Sequence, residues 1–139
     1  MPTSRSGLRW TSNYSVNIAA LDRQHQNLFT TINELNDALA NGDGHAALGR
    51  ILQKLVDYAV NHFAAEETLM SEHDFPGLST HRDEHERFKR NIAQFLQDFE
   101  AGKSGVPVSL MLFLQSWLKA HILGSDKSYS AYLNARGVH

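Results

Sequence analysis

Apolar residues recur every three to four positions through four stretches of the chain, and turn-forming residues separate the stretches. The first runs from about Ile18 to Ala40, with Ile18, Leu21, His25, Leu28, Phe29, Ile32, Leu35 and Leu39 on one face. Asn41-Gly42-Asp43-Gly44 is a strong stop. The second runs from about His45 to His73; its stripe is Leu48, Ile51, Leu52, Leu55, Ala59, His62, Phe63, Glu66, Leu69 and Met70. Phe75-Pro76-Gly77 breaks it. The third, from about Leu78 to Ala101, aligns Leu78, His81, His85, Phe88, Ile92, Phe95 and Phe99. After a turn at Gly102 to Val106, the fourth starts near Pro107, a residue suited to a first helical turn, and aligns Leu110, Leu114, Trp117, Leu118 and His121. Gly124 is placed to loosen or kink it, and Ser128 to Leu133 can add a short final helix.

No strand-like alternation and no hairpin dipeptide compete with this reading. Four amphipathic helices joined by short turns favour antiparallel neighbours. The expected architecture is all-α: an up-down-up-down four-helix bundle over residues 18–135, preceded by an extended N-terminal arm over residues 1–17, in a single domain of 139 residues. Trp10 and Val16 are the arm's candidate anchors.

Composition removes several function classes. The absence of cysteine excludes thiolate metal sites, iron–sulfur clusters and disulfide frameworks. A net charge of -2 and a pI near 6.4 give no basic footprint for nucleic acid. No uninterrupted apolar run approaches the ~20 residues of a membrane span. Residues 1–17 lack the apolar core of a signal peptide. The expectation is a cytoplasmic monomer.

The compositional oddity is eight histidines. His45, His73 and His139 follow no spacing and read as solvated surface. His62 and Glu66 are four apart, as are His81 and His85, so each pair shares one helical face and can grip the same ion or ion pair. Both pairs lie in the apolar stripes, as do His25 and His121. In an up-down bundle all six fall within roughly 20 Å of the same end, at ~1.5 Å rise per residue. A lone histidine on an apolar stripe is more often a core residue than a ligand; four helices sharing one layer change that balance. Asp126 fits less well. Five residues after His121, it would sit about 140° off the histidine in a regular helix. A local widening near Gly124 would return it to the layer; otherwise it can cap the last helix. Glu67 is expected to point away from the layer, and the charge run Arg82-Asp83-Glu84 with Glu86 and Arg87 reads as a solvated helix face.

Five imidazoles and two carboxylates exceed what one tetrahedral zinc takes and suit two octahedral ions such as iron. With three histidines on one ion, two on the other, both carboxylates bridging and one bridging oxygen, a single coordination place stays open.

The segments Leu21-Asp22-Arg23-Gln24-His25, His62-Phe63-Ala64-Ala65-Glu66-Glu67, His81-Arg82-Asp83-Glu84-His85 and Trp117-Leu118-Lys119-Ala120-His121-Ile122, with Asp126, resemble the hemerythrin family, its bacterial members in particular. The resemblance covers nearly the whole chain and fills all seven ligand positions in order. It implies His81, His85 and His121 on one iron, His25 and His62 on the other, and Glu66 and Asp126 bridging together with an oxo or hydroxo group. It further implies dioxygen as ligand at the two-histidine iron, in a pocket of Trp117, Leu118 and Ile122. Reversible dioxygen binding, for carriage, storage or delivery and without enzymatic turnover, is the expected function. The competing readings are a di-iron oxidase or peroxidase, and an oxygen- or iron-sensing module acting through a partner protein. The enzyme reading is weakened by the absence of the Glu-x-x-His pairs that mark ferritin-like di-iron sites.

Overall fold

The turns between the helices are short and closed by left-handed residues, which dictates antiparallel packing. The computed structural model describes residues 9–139. Four helices, α1 (Ala19–Ala40), α2 (Gly44–Glu72), α3 (Leu78–Glu100) and α4 (Val106–Trp117), follow one another; a π-helical segment, Leu118–Asp126, then leads into α5 (Lys127–Asn134). No strand occurs among the described residues. At the end of α1 the Asp43 N–H donates to the Ala38 carbonyl at 2.7 Å and the Gly42 N–H to Leu39 at 3.2 Å. This double closure needs a left-handed residue after the cap, and Gly42 supplies it with φ 76°. Asp74, with φ 54°, takes the same role at the end of α2. Aspartate is one of the few side chains that tolerates that region.

α1 and α3 each pack against α2 and α4. The main apolar cluster joins Leu28, Ile32, Leu35, Leu48, Leu52, Leu55, Phe88, Ile92, Leu110 and Leu114. A second, smaller one joins Val16, Ile18, Leu21, Met70, Tyr129 and Leu133. Along each of the long helices the histidines and carboxylates fall between residues of these two clusters, so a polar layer is sealed by hydrocarbon above and below. Stripe residues near helix ends, such as Leu39, Leu69, Leu78 and Phe99, are only half-buried.

Two expectations are revised. Residues 1–8 of the expected arm lie outside the described residues; in the described part the arm is not simply extended, because Ser12–Tyr14 form a 3-10 turn, closed by the Tyr14 N–H on Thr11 and the Ser15 N–H on Ser12. Trp10 and Tyr14 then set their rings against Phe29, at centroid separations of 5.3 and 4.6 Å. Val16 is fully buried, its N–H donating to Asp22 Oδ1 at 2.8 Å and its carbonyl accepting from Ser130 Oγ at 2.6 Å. Second, the run Val106–Asn134 is long and apolar enough, by length and composition, to cross a membrane. Lys119, His121, Asp126 and Lys127 interrupt it, so no unbroken apolar run is visible in the sequence. In the fold, Leu110, Leu114, Leu118 and Ile122 of this run are buried in the bundle core.

Candidate metal centre

Each long helix contributes to the layer by the spacing its sequence sets. His62 and Glu66 lie one turn apart on α2, His81 and His85 one turn apart on α3, and His25 on α1. His121 and Asp126 both lie in the π-helical segment. Its wider turn absorbs the extra residue between them and brings Asp126 onto the histidine's side. All seven side chains are at most 2 % exposed, so the chain has buried seven metal-capable groups in one place.

Their atoms form two overlapping groups. Glu66, His81, His85, His121 and Asp126 each offer an atom within 4.8 Å of the others, and so do His25, His62, Glu66 and Asp126. Both carboxylates belong to both groups, and the histidines divide three to two. Asp126 lies 2.7 Å from His81 Nε2 and 3.0 Å from both His25 Nε2 and His121 Nε2. Glu66 lies 3.1 Å from His85 Nε2 and 3.4 Å from His62 Nε2.

The five Nε2 atoms, Glu66 Oε1 and both Asp126 oxygens are buried without an aligned hydrogen-bond partner. Leaving so many buried polar atoms unmatched is costly, and native interiors rarely do it. A pair of divalent cations would satisfy all of them at once. The donor set of imidazole nitrogens and carboxylate oxygens fits iron.

The outer ring nitrogens of three of the five histidines are held, while His25 Nδ1 is buried without a partner. His62 Nδ1 pairs with Gln24 Oε1 at 2.5 Å, His85 Nδ1 with Glu67 Oε2 at 2.7 Å, and His121 Nδ1 with Glu84 Oε1 at 2.6 Å. With the proton on Nδ1, each ring turns its Nε2 lone pair inward, which is how metal-binding histidines are usually oriented. Tyr129 Oη donates to Glu66 Oε2 and fixes that carboxylate. Ser125 Oγ also donates to Glu84, at 2.7 Å. Partial burial opposes the charge on Glu84, but the hydrogen bonds from Ser125 and His121 outweigh it and hold its carboxyl below the usual range.

Charges inside the layer are strongly skewed in the metal-free protein. Burial works against a charge on His25 and His81, yet the contacts with Asp126 and Glu66 outweigh it and raise both to about 10. Burial dominates at His62 and pushes it down. Glu66 and Asp126 lie below their ordinary values despite burial, held there chiefly by the neighbouring histidines.

The seven residues marked as ligands from the sequence thus come together, Asp126 included. Trp117, Leu118 and Ile122 are buried, with the Trp117 ring stacked on His121 at 4.0 Å and 15°. Leu118 and Ile122 join the main apolar cluster. Two sequence expectations fail. Glu67 does not turn away from the layer but holds His85, and Glu84 is not part of a solvated face but holds His121. The sequence reading also missed Gln24, Tyr58 and Tyr129. His73 stays outside the layer, its carbonyl accepting the Tyr132 hydroxyl at 2.7 Å.

The model of the hemerythrin HHE cation binding domain matches residues 16–133. A bacteriohemerythrin of Methylococcus capsulatus is 33 % identical over 129 residues, covering 92 % of this chain and 98 % of that protein. One from Pseudomonas aeruginosa is 36 % identical over 122 residues, covering 88 % of this chain and 78 % of that protein. A crystal structure of wild-type hemerythrin superposes with a TM-score of 0.82 at 32 % identity, covering 91 % of this chain and 97 % of its own. Matched over nearly its whole length in sequence and in fold, the chain belongs to the hemerythrin family.

Proposed function

We propose that this protein binds dioxygen reversibly at a pair of iron ions and does not turn it over. The observation that carries the reading is the unequal division of the layer: two ligand groups share Glu66 and Asp126, with three histidines in one and two in the other. His81, His85 and His121 would hold one iron, His25 and His62 the second, and the two carboxylates would bridge. With a bridging oxo or hydroxo group added, six-coordinate ions would leave one place for an outside ligand, on the two-histidine side. Iron there would supply the electrons that dioxygen draws on when it binds.

The chain's own residues account for the rest. Phe63 stacks on His85 at 3.8 Å and Trp117 on His121. Together with Leu118 and Ile122 they wall the layer with hydrocarbon, which keeps competing water away. Only two carboxylates face five neutral imidazoles, so the site offers less anionic stabilisation to highly oxidised iron than a carboxylate-rich one. Both features favour holding dioxygen over cleaving it. Stopped-flow mixing of the diferrous protein with oxygen tests this. The expected result is a long-lived oxygenated species that is lost again under vacuum; rapid decay to ferric protein on each exposure would favour an oxidase or peroxidase instead. An oxygen-dependent protein partner recovered by pull-down would favour a sensor.

The outer partners are expected to matter nearly as much as the ligands. Glu84→Ala removes the acceptor of the His121 Nδ1 proton and should lower metal affinity about 10- to 100-fold, with helix content unchanged. Competition with a metal chelator measures this, and wild-type affinity would show that Glu84 is only a surface charge.

A further inference from the structure

Tyr58 is a half-buried residue whose hydroxyl is itself buried, and the metal ligands leave it no role. Its hydroxyl has no hydrogen-bond partner, and neither has the indole Nε1 of Trp117. The two rings are anchored on different halves of the site. Tyr58 stacks on His62 at 4.8 Å and 20°, and Trp117 on His121 at 4.0 Å and 15°. Their polar edges converge. The indole N–H comes close enough to favour the Tyr58 phenolate, against burial and the Glu66 and Asp126 charges that push the phenol up, yet the two groups do not reach hydrogen-bond alignment.

Phe63 and Phe88 box the pair in. Tyr58 lies 5.5 and 5.9 Å from their ring centroids, Trp117 5.8 and 4.7 Å. Phenylalanine at position 58 would fill such a box without a polar atom to satisfy, and a buried hydroxyl left unpaired costs stability. An indole N–H can only donate, while a phenol can donate or accept. A third group that accepts hydrogen bonds would satisfy both. On the Tyr58 side a cleft of about 370 Å³ opens from solvent and reaches Tyr58 and His62, lined also by Gln24, Asn27, Thr31 and Asn61; Trp117 borders a separate cleft beside His121.

We propose that the Tyr58 hydroxyl and the Trp117 indole N–H form a two-donor clamp for a small hydrogen-bond-accepting ligand of the metal pair, dioxygen or a small anion. This rests on the di-iron reading above. The clamp makes Tyr58 a specificity-determining residue: it favours ligands whose outer atom accepts a hydrogen bond and holds them longer.

The test uses Tyr58→Phe, which deletes only the hydroxyl. In the iron-loaded protein, azide affinity is expected to fall about 10-fold. Dioxygen is expected to leave faster by a similar factor. A fall for azide with an unchanged dioxygen off-rate would restrict the clamp to anions and overturn its role toward dioxygen. The metal-free variant gives a second readout. A hydroxyl without a partner in the resting protein adds nothing to stability, so the melting temperature should hold or rise. A lower melting temperature with unchanged ligand binding would show an ordinary structural hydroxyl and overturn the clamp. The double variant Tyr58→Phe/Trp117→Phe should lose less than the product of the single losses, because both donors serve one ligand. Wild-type protein that holds two irons yet takes up neither probe would overturn the dioxygen-binding reading, and the clamp with it. Wild-type protein that binds both while Tyr58→Phe matches it would overturn the clamp alone.

Discussion

Glu66→Ala is expected to strip the protein of metal. Glu66 approaches four of the five buried histidines, His25 at 3.5 Å, His62 at 3.4 Å, His81 at 3.8 Å and His85 at 3.1 Å, and so touches both ligand groups. Asp126 is the other shared carboxylate. With Glu66 gone, both ions would lose a ligand and the two positive centres would lose one of the two carboxylate charges between them. The loss should exceed the roughly 10- to 100-fold cost of removing an outer hydrogen-bond partner. Metal analysis after dialysis should find far fewer than the two ions per chain expected for the wild type. The bundle itself should persist, since the main apolar cluster around Leu35, Leu52 and Leu110 lies outside the layer. Circular dichroism controls for that. Two ions retained at wild-type affinity would remove Glu66 from the ligand set.

Metal uptake is expected to strengthen steeply as pH rises. In the metal-free protein His25 and His81 are raised to about 10, so both are charged at neutral pH. A histidine must be neutral to ligate, so each has to release a proton. Glu66 and Asp126, held below their ordinary values, are already ionised, and His62, pushed down, is already neutral; these three release nothing. His25 belongs to the two-histidine group and His81 to the three-histidine group, so each ion displaces at least one proton. The affinity for each should rise about 10-fold per pH unit between pH 7 and 9, and that for the pair about 100-fold. The sign agrees with the metal-free fold. Charged His25 and His81 stabilise it fully below the ordinary histidine value of 6.5, and this stabilisation is lost as pH rises toward 10. Protons and metal therefore compete for the same lone pairs. Titrations at three pH values, with proton release followed by an indicator, would measure the slope. An affinity independent of pH would show that these histidines are neutral before metal arrives.

The bundle and most of its buried histidine–carboxylate layer were legible in the sequence because both rest on local periodicity. His62 with Glu66, and His81 with His85, declare their shared face through a spacing of four in helices whose apolar stripes are unambiguous. Asp126 was legible only as a residue at the wrong angle. Its place depends on a backbone change that leaves no compositional mark beyond Gly124, so spacing alone could not choose between a ligand and a helix cap. Glu67 and Glu84 were misread for a different reason. Each is held by a histidine on another helix, His85 for Glu67 and His121 for Glu84. A charged residue beside a ligand looks solvent-facing on its own helix; which neighbour stands opposite is decided by bundle packing. Tyr58 was hidden in the same way, because a tyrosine one residue from the stripe position Ala59 says nothing of what its hydroxyl meets.

The π-helical turn has a reach beyond Asp126. Every residue after it inherits the rotational phase it sets, and one residue more or less would swing α5 by about 100°. That phase aims Tyr129 at Glu66, Ser130 at the Val16 carbonyl and Asn134 at the Asn17 carbonyl. A single widened turn thus indexes three contacts, one on the carboxylate shared by both ligand groups and two on the N-terminal arm. The arm's seat and the metal layer are geared to the same few peptide units, so whatever tightens or relaxes that turn is felt at both.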